Sequence, residues 1–95
     1  MSDPTFLVLA SLADGDKHGY AMMEDIEQFA GSRLGPGTLY GAITRLEQRG
    51  WIRPVKSGDR RQPYTMTAAG RHYLKEQLAS LSQIVKTASS RLKHA

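Results

Sequence analysis

The last third of this 95-residue chain most limits how the rest can fold. Leu74, Leu78, Leu81, Val85, Ala88 and Leu92 recur at spacings of 4, 3, 4, 3 and 4. That is the a/d rhythm of a helix laying one apolar seam against a partner. Ile84 widens the stripe. With Thr67 as its cap, the spacing predicts one helix from about Ala68 to Lys93, roughly 40 Å long at 1.5 Å per residue. The remaining residues are too few to cover such a stripe. The expected organisation is therefore a folded part, 1–67, and a C-terminal dimerisation helix, 68–95, in a single compact unit that pairs as a homodimer.

The N-terminal half reads as three helices. Asp3 caps the first and Pro4 occupies its first position. In Phe6–Ala13 seven of eight residues are apolar, and a helix apolar all round is buried on more than one side. One side faces its own core, and the other, through Phe6 and Leu9, is expected at the subunit contact. Asp14–Lys17 is a turn by composition. A second helix from about His18 to Ala30 has an apolar stripe of Met22, Met23, Ile26, Phe29 and Ala30, and Gly31 ends it. After a short link comes Gly35–Gly50, a helix bounded by glycines, with Pro36 in its first turn and Gly50 at a left-handed cap. Leu39, Ala42, Ile43 and Leu46 share one face, expected against the preceding helix and the hairpin after it. The opposite face carries Gly37, Gly41, Thr44 and Gln48, flanked by Tyr40 on one side and by Thr38 and Arg45 on the other. Each glycine costs about 1 kcal/mol of helix propensity relative to alanine. A surface that lets another molecule approach the backbone closely accounts for them. Two helices joined by so tight a turn are a helix-turn-helix candidate, the second entering a DNA major groove.

The next segment supports that reading. Trp51–Lys56 reads as a strand that Pro54 confines to a sheet edge or ends early. Ser57–Arg61 is a polar turn, and Gln62–Thr67 is the returning strand. The hairpin tip is basic. The fold class expected is mainly α with a small β-hairpin (α+β): a winged helix-turn-helix followed by the long helix. The charge distribution agrees, since residues 1–31 hold six acids and one base while residues 32–95 hold three acids and twelve bases. Such a chain suits a protein that presents one side to a polyanion. Thr38, Tyr40, Lys56, Ser57, Arg60, Arg61 and Arg33 are the candidates for phosphate contact. Thr44, Arg45 and Gln48 suit base edges in the major groove, and Pro36, Gly37 and Gly41 complete the approach surface. Tyr40 has a rival role at the edge of the core, Arg45 a rival pairing with Glu47 or Asp59, and Trp51 reads as core.

Other classes find little support. There is no cysteine, so disulfides, thiolate metal sites and cysteine nucleophiles are excluded. His18, His72 and His94 lack metal-ligand spacing, and no serine lies in a nucleophile motif. No enzyme, metal or cofactor is expected. The longest apolar run, Phe6–Ala10, is too short for a bilayer. The start, Met1-Ser2-Asp3-Pro4, has no basic leader, which predicts a cytoplasmic protein. The alternative reading is a winged-helix protein–protein interaction module without direct DNA readout, against which the basic tip argues.

Several short motifs also stand in a recognisable order: His18-Gly19-Tyr20, Gly37-Thr38-Leu39-Tyr40, Arg45-Leu46-Glu47, Gly50-Trp51-Ile52, Arg60-Arg61 and Tyr64-Thr65-Met66-Thr67-Ala68-Ala69-Gly70-Arg71. Over roughly residues 5–80 the chain resembles the PadR-like family of bacterial transcriptional regulators. The resemblance implies a winged helix with a C-terminal dimerisation helix. It implies a homodimer on a palindromic operator in double-stranded DNA, usually a repressor released by a small phenolic, drug-like or otherwise unknown effector. It puts the DNA-contacting helix on Pro36–Arg45 and the wing on Lys56–Gln62. One helix after the wing looks like the compact branch of the family. The last helix has no aromatic residue beyond Tyr73, which argues against an aromatic effector sandwiched between subunits. An effector pocket, if there is one, is expected between the first and last helices across the dimer, near Phe6, Leu9, Tyr73 and Leu81.

Overall fold

The structure, a computed structural model, describes residues 3–95. Met1 and Ser2, part of the start on which the leader expectation rests, lie outside the described residues. Helix α1 spans Pro4–Leu12, and the Asp3 side chain accepts the Thr5 N–H at 3.0 Å, as a capping aspartate should. Strand β1 is Lys17–His18, α2 is Gly19–Ala30, α3 is Pro36–Gln48, β2 is Ile52–Pro54, β3 is Pro63–Met66 and α4 is Ala68–Lys93. The apolar helix α1 is the hub, packed on α3, α2 and α4. Leu7, Val8, Leu9 and Leu12 meet Met22, Met23 and Ile26 of α2 and Leu39, Ala42, Ile43 and Leu46 of α3 in one core. Burying each such aliphatic side chain contributes about 1.5–3 kcal/mol. Ser11, also buried, donates to the Asp25 carboxylate at 2.7 Å, so the core carries its polar group satisfied. The inward face of α3 rests chiefly on α1, with smaller contributions from β2 and α2, rather than on α2 and the hairpin as expected.

The sheet has three antiparallel strands in the order β1-β3-β2, not two. Ile52 pairs with Met66, Arg53 with Thr65 and Pro54 with Tyr64. On the other side of β3, Lys17 pairs with Tyr64 and His18 with Pro63. Lys17, expected in the turn, and His18, expected in α2, thus form a short strand. Lys17 is held there by its ammonium, which donates to the Ser11 carbonyl and to Asp14. Pro54 lies on an outer strand, as its missing N–H requires. The apolar stripe of α2 is shorter than expected. Phe29 is 50% exposed, because α2 ends at Gly31 (φ 77°), where the chain turns away and nothing covers the last turn.

Helix α4 starts where the sequence places it. Thr67 Oγ1 accepts the Gly70 N–H at 3.1 Å and donates to the Gly50 carbonyl at 2.7 Å. Of its residues only Gly70 and Leu74 are buried. The helix projects from the body, giving the chain a longest dimension of 56 Å against 26 and 20 Å. Two residues assigned to the subunit contact are placed otherwise. Leu9 is 0% and Leu74 5% exposed within the one chain, both in its own core. Phe6 is partly buried against that core. The seam left open begins at Leu78 and runs through Leu81, Ile84 and Val85 to Leu92, with exposures from 42% at Leu81 to 80% at Leu92. Among the described residues no helix is long and apolar enough to cross a membrane.

Candidate nucleic-acid interface

Helix α3 presents its two faces as the residue pattern requires. Leu39, Ala42, Ile43 and Leu46 are buried, while Pro36, Gly37, Thr38, Tyr40, Thr44, Arg45 and Gln48 are exposed and Gly41 partly so. Gly35 caps the helix without a side-chain hydrogen bond, so the first turn keeps backbone N–H groups available. A Cβ at Gly37 would meet nothing within 4 Å, and one at Gly41 would meet only the Arg45 guanidinium at 3.6 Å. The glycines are therefore not demanded by packing inside the chain. Thr44 donates its hydroxyl to the Tyr40 carbonyl at 2.9 Å, leaving it only as an acceptor toward a base. Among the described residues Arg45 makes no ion pair, neither with Glu47 nor with Asp59.

The wing is ordered by its own polar groups. The Gln62 amide donates to the Val55 carbonyl at 2.9 Å and the Pro63 carbonyl at 2.8 Å, closing the base of the hairpin loop. At the tip, Ser57 Oγ accepts the Asp59 N–H at 3.1 Å. Asp59 in turn accepts the Arg61 N–H and pairs with its guanidinium at 3.3 Å. The backbone N–H groups of Arg61 and Arg60, with the Arg61 charge, hold the Asp59 carboxyl below the usual carboxylate range. Lys56 and Arg60 make no ion pair among the described residues. Arg33, by contrast, is committed to Glu27 at 2.7 Å, and that pairing raises its pKa. Among the described residues Arg45 on α3 and Lys56 and Arg60 on the wing thus carry charge outside any ion pair.

The start of α2 joins these two parts, a role that reading the sequence missed. His18 caps α2, its Nδ1 accepting the Ala21 N–H at 3.3 Å. Its Nε2 lies 3.3 Å from the Arg61 guanidinium. A neutral ring accepting at Nδ1 carries its proton on Nε2, so in that tautomer the Arg61 contact is not a hydrogen bond. Next to it, Tyr40 of α3 lies across Gly19, and Tyr64 of β3 stands close by. Burial, with the neighbouring Glu47 carboxylate and Tyr40 phenol, pushes the Tyr64 phenol up. Of the four residues expected near an effector pocket across the dimer, two are already engaged within the single chain. Leu9 is sealed in the core, and Tyr73 is stacked on Trp51 with ring centroids 3.8 Å apart.

A helix-turn-helix with a glycine-opened outer helix, followed by a basic hairpin and a projecting helix, is the geometry the motifs implied. Residues 8–76 match the profile described as the transcriptional regulator PadR-like family. The chain belongs to the PadR-like family of transcriptional regulators. By that membership it is a transcriptional regulator with a DNA-binding winged helix. The chain is 33% identical over 82 residues to a transcriptional regulator of Mycobacterium tuberculosis, covering 83% of this chain and 76% of that protein. It is also 46% identical over 83 residues to an uncharacterised 37.1 kDa protein of transposon Tn4556 from Streptomyces fradiae. That match takes in 87% of this chain, which spans only 24% of the transposon protein's length. Among solved structures, a PadR family transcription regulator from Clostridium difficile superposes with a TM-score of 0.85 at 25% identity, over 96% of this chain and 99% of that one.

Proposed function

We propose that this PadR-like chain acts as a homodimeric repressor on a palindromic operator in the cytoplasm, released by a small-molecule effector. Two features support the reading. The outer face of α3 is opened by Gly37 and Gly41, and among the described residues Lys56 and Arg60 of the wing are free of acidic partners. Thr38, Tyr40, Lys56, Ser57, Arg60 and Arg61 contact phosphates, with Arg33 entering only by leaving Glu27. Arg45 and Gln48 read base edges, and Thr44 accepts from one. The open apolar row on α4 pairs with a second copy, setting two α3 helices about one DNA turn apart, ~34 Å, hence a two-fold symmetric site.

The test is a titration of the chain against random-sequence duplex, then against duplexes selected from a random library, at two salt concentrations. A dimer engaging roughly 6–10 phosphates loses orders of magnitude in affinity between low and moderate salt. R60A/R61A should weaken binding to every duplex and flatten that slope. Unchanged affinity for all duplexes would make the wing a solvated hairpin and favour a protein-binding module. A compound screen for release of the selected duplex tests the effector.

A further inference from the structure

Gly19 is buried at the first position of α2. Its backbone does not require glycine, since positive φ occurs only at Gly15, Gly31 and Gly50 among the described residues. The demand comes from α3. A Cβ at Gly19 would lie 2.3 Å from the Tyr40 hydroxyl oxygen, 2.7 Å from Cζ and 3.0 Å from Cε1. The phenol edge thus rests directly on the Gly19 backbone. Tyr40 itself is 49% exposed on the flank of the outward face, so one part of the ring is held while the rest faces outward. Resting on the DNA-binding reading above, we propose that Gly19 is a positioning residue for DNA recognition, its missing side chain forming the seat that fixes the Tyr40 phenol for a phosphate contact.

The physical gain is pre-organisation. A free tyrosine side chain samples several rotamers and loses that freedom on binding, whereas one already seated loses less. Seating also joins the two roles open to Tyr40, because one side chain does both: its hydroxyl end rests on the start of α2 while about half of the side chain stays exposed. The atoms a Cβ at Gly19 would displace are the far end of a side chain, not backbone. Gly19→Ala therefore moves Tyr40 and leaves the fold standing, with alanine the better helix former.

The experiment measures affinity for a duplex selected from a random library, by fluorescence anisotropy, for wild type, G19A, Y40A, G19A/Y40A and R60A/R61A. Thermal denaturation of each checks folding. G19A should melt at or above the wild-type temperature and bind at least about tenfold more weakly, roughly what one hydrogen bond to a charged phosphate contributes. Y40A should lose a similar factor, and adding G19A to Y40A should change nothing further, since the residue through which Gly19 acts is gone. Wild-type affinity in G19A, or a further loss in the double variant equal to that in G19A alone, would overturn the proposal. If R60A/R61A weakens binding while G19A does not, only this inference fails. If none of the variants changes affinity, the DNA-binding surface itself is misplaced.

Discussion

The indole of Trp51 lies face to face with the phenol ring of Tyr73, centroids 3.8 Å apart and planes inclined by 15°. The Arg49 guanidinium stands over the Trp51 ring, 5.3 Å from its centroid. The stack ties the junction of α3 and β2 to the second turn of α4. Aromatic pairs contribute about 0.5–1.5 kcal/mol beyond the area they bury. Tyr73→Ala should therefore lower unfolding stability by about 2 kcal/mol, less than for a fully buried aromatic. Tyr73→Phe should be close to wild type. Urea denaturation followed by Trp51 fluorescence checks both, and an unchanged midpoint for the alanine variant would show that the stack adds nothing.

Gly70 provides a sharper contest of effects. Alanine is favoured over glycine in a helix by about 1 kcal/mol. A Cβ at Gly70, however, would lie 2.0 Å from the Trp51 carbonyl oxygen, which also accepts the Thr67 N–H at 3.0 Å. That oxygen is backbone held on both sides and has little room to yield. Overpacking of this kind costs about 1–3 kcal/mol or more, so Gly70→Ala should be net destabilising by denaturant melt despite its better propensity.

Asp59 is the acid within the wing, and its place in the turn makes its effect on binding separable from its effect on folding. Asp59→Asn keeps an oxygen for the Arg61 N–H, removes a negative charge from the basic tip and releases the Arg61 guanidinium. Affinity for duplex DNA should rise by about threefold at low salt, and the gain should shrink as salt screens it. The acid dependence has a definite sign. Asp59 titrates lower folded than unfolded, so its contribution to the turn is complete above its unfolded value, about 3.9. It is lost only as pH falls below that, through the lowered folded value. The Arg61 amide resonance, followed by NMR during acid titration, reports it.

The outer face of α3 is tested by filling it. Gly37→Leu and Gly41→Leu have space in the free chain and replace a poor helix former, so the melting temperature should hold or rise. Operator binding should fall by at least about tenfold, because the added side chain holds the backbone away from the groove. Normal binding by either variant in a gel-shift titration would mean that this face does not approach DNA.

The proposed subunit contact is tested at Leu78 and Leu81. They are 49% and 42% exposed in the single chain, so lysine at either site disturbs no core. The double variant L78K/L81K should be folded by circular dichroism and monomeric by light scattering at micromolar concentration. A dimer would place the contact elsewhere.

What could be read from the sequence was whatever local chemistry decides. Asp3 and Thr67 cap because their oxygens reach an N–H two or three residues on, and Gly31 and Gly50 end helices because they tolerate positive φ. The 4-3 spacing located α4 without any knowledge of the rest. Failures came where the deciding partner is far along the chain. Strand β1 has two residues, too few to show a period, and exists only because Pro63 and Tyr64 arrive beside it. Leu9 and Leu74 carry the same apolar signature as Leu78, and periodicity alone does not distinguish a neighbour in the same chain from one in another. Arg61 beside His18 and Tyr40 on Gly19 likewise depend on the folded arrangement. The one local hint at the second was a glycine starting a helix where the backbone needs none.

The strand order β1-β3-β2 leaves the central strand with neighbours on both sides. Only a two-residue strand stays open on one flank and, on the other, a three-residue strand whose last member is Pro54. Neither border offers a run of unpaired backbone long enough to template another sheet. In a crowded cell the chain is thereby shielded from strand-to-strand aggregation.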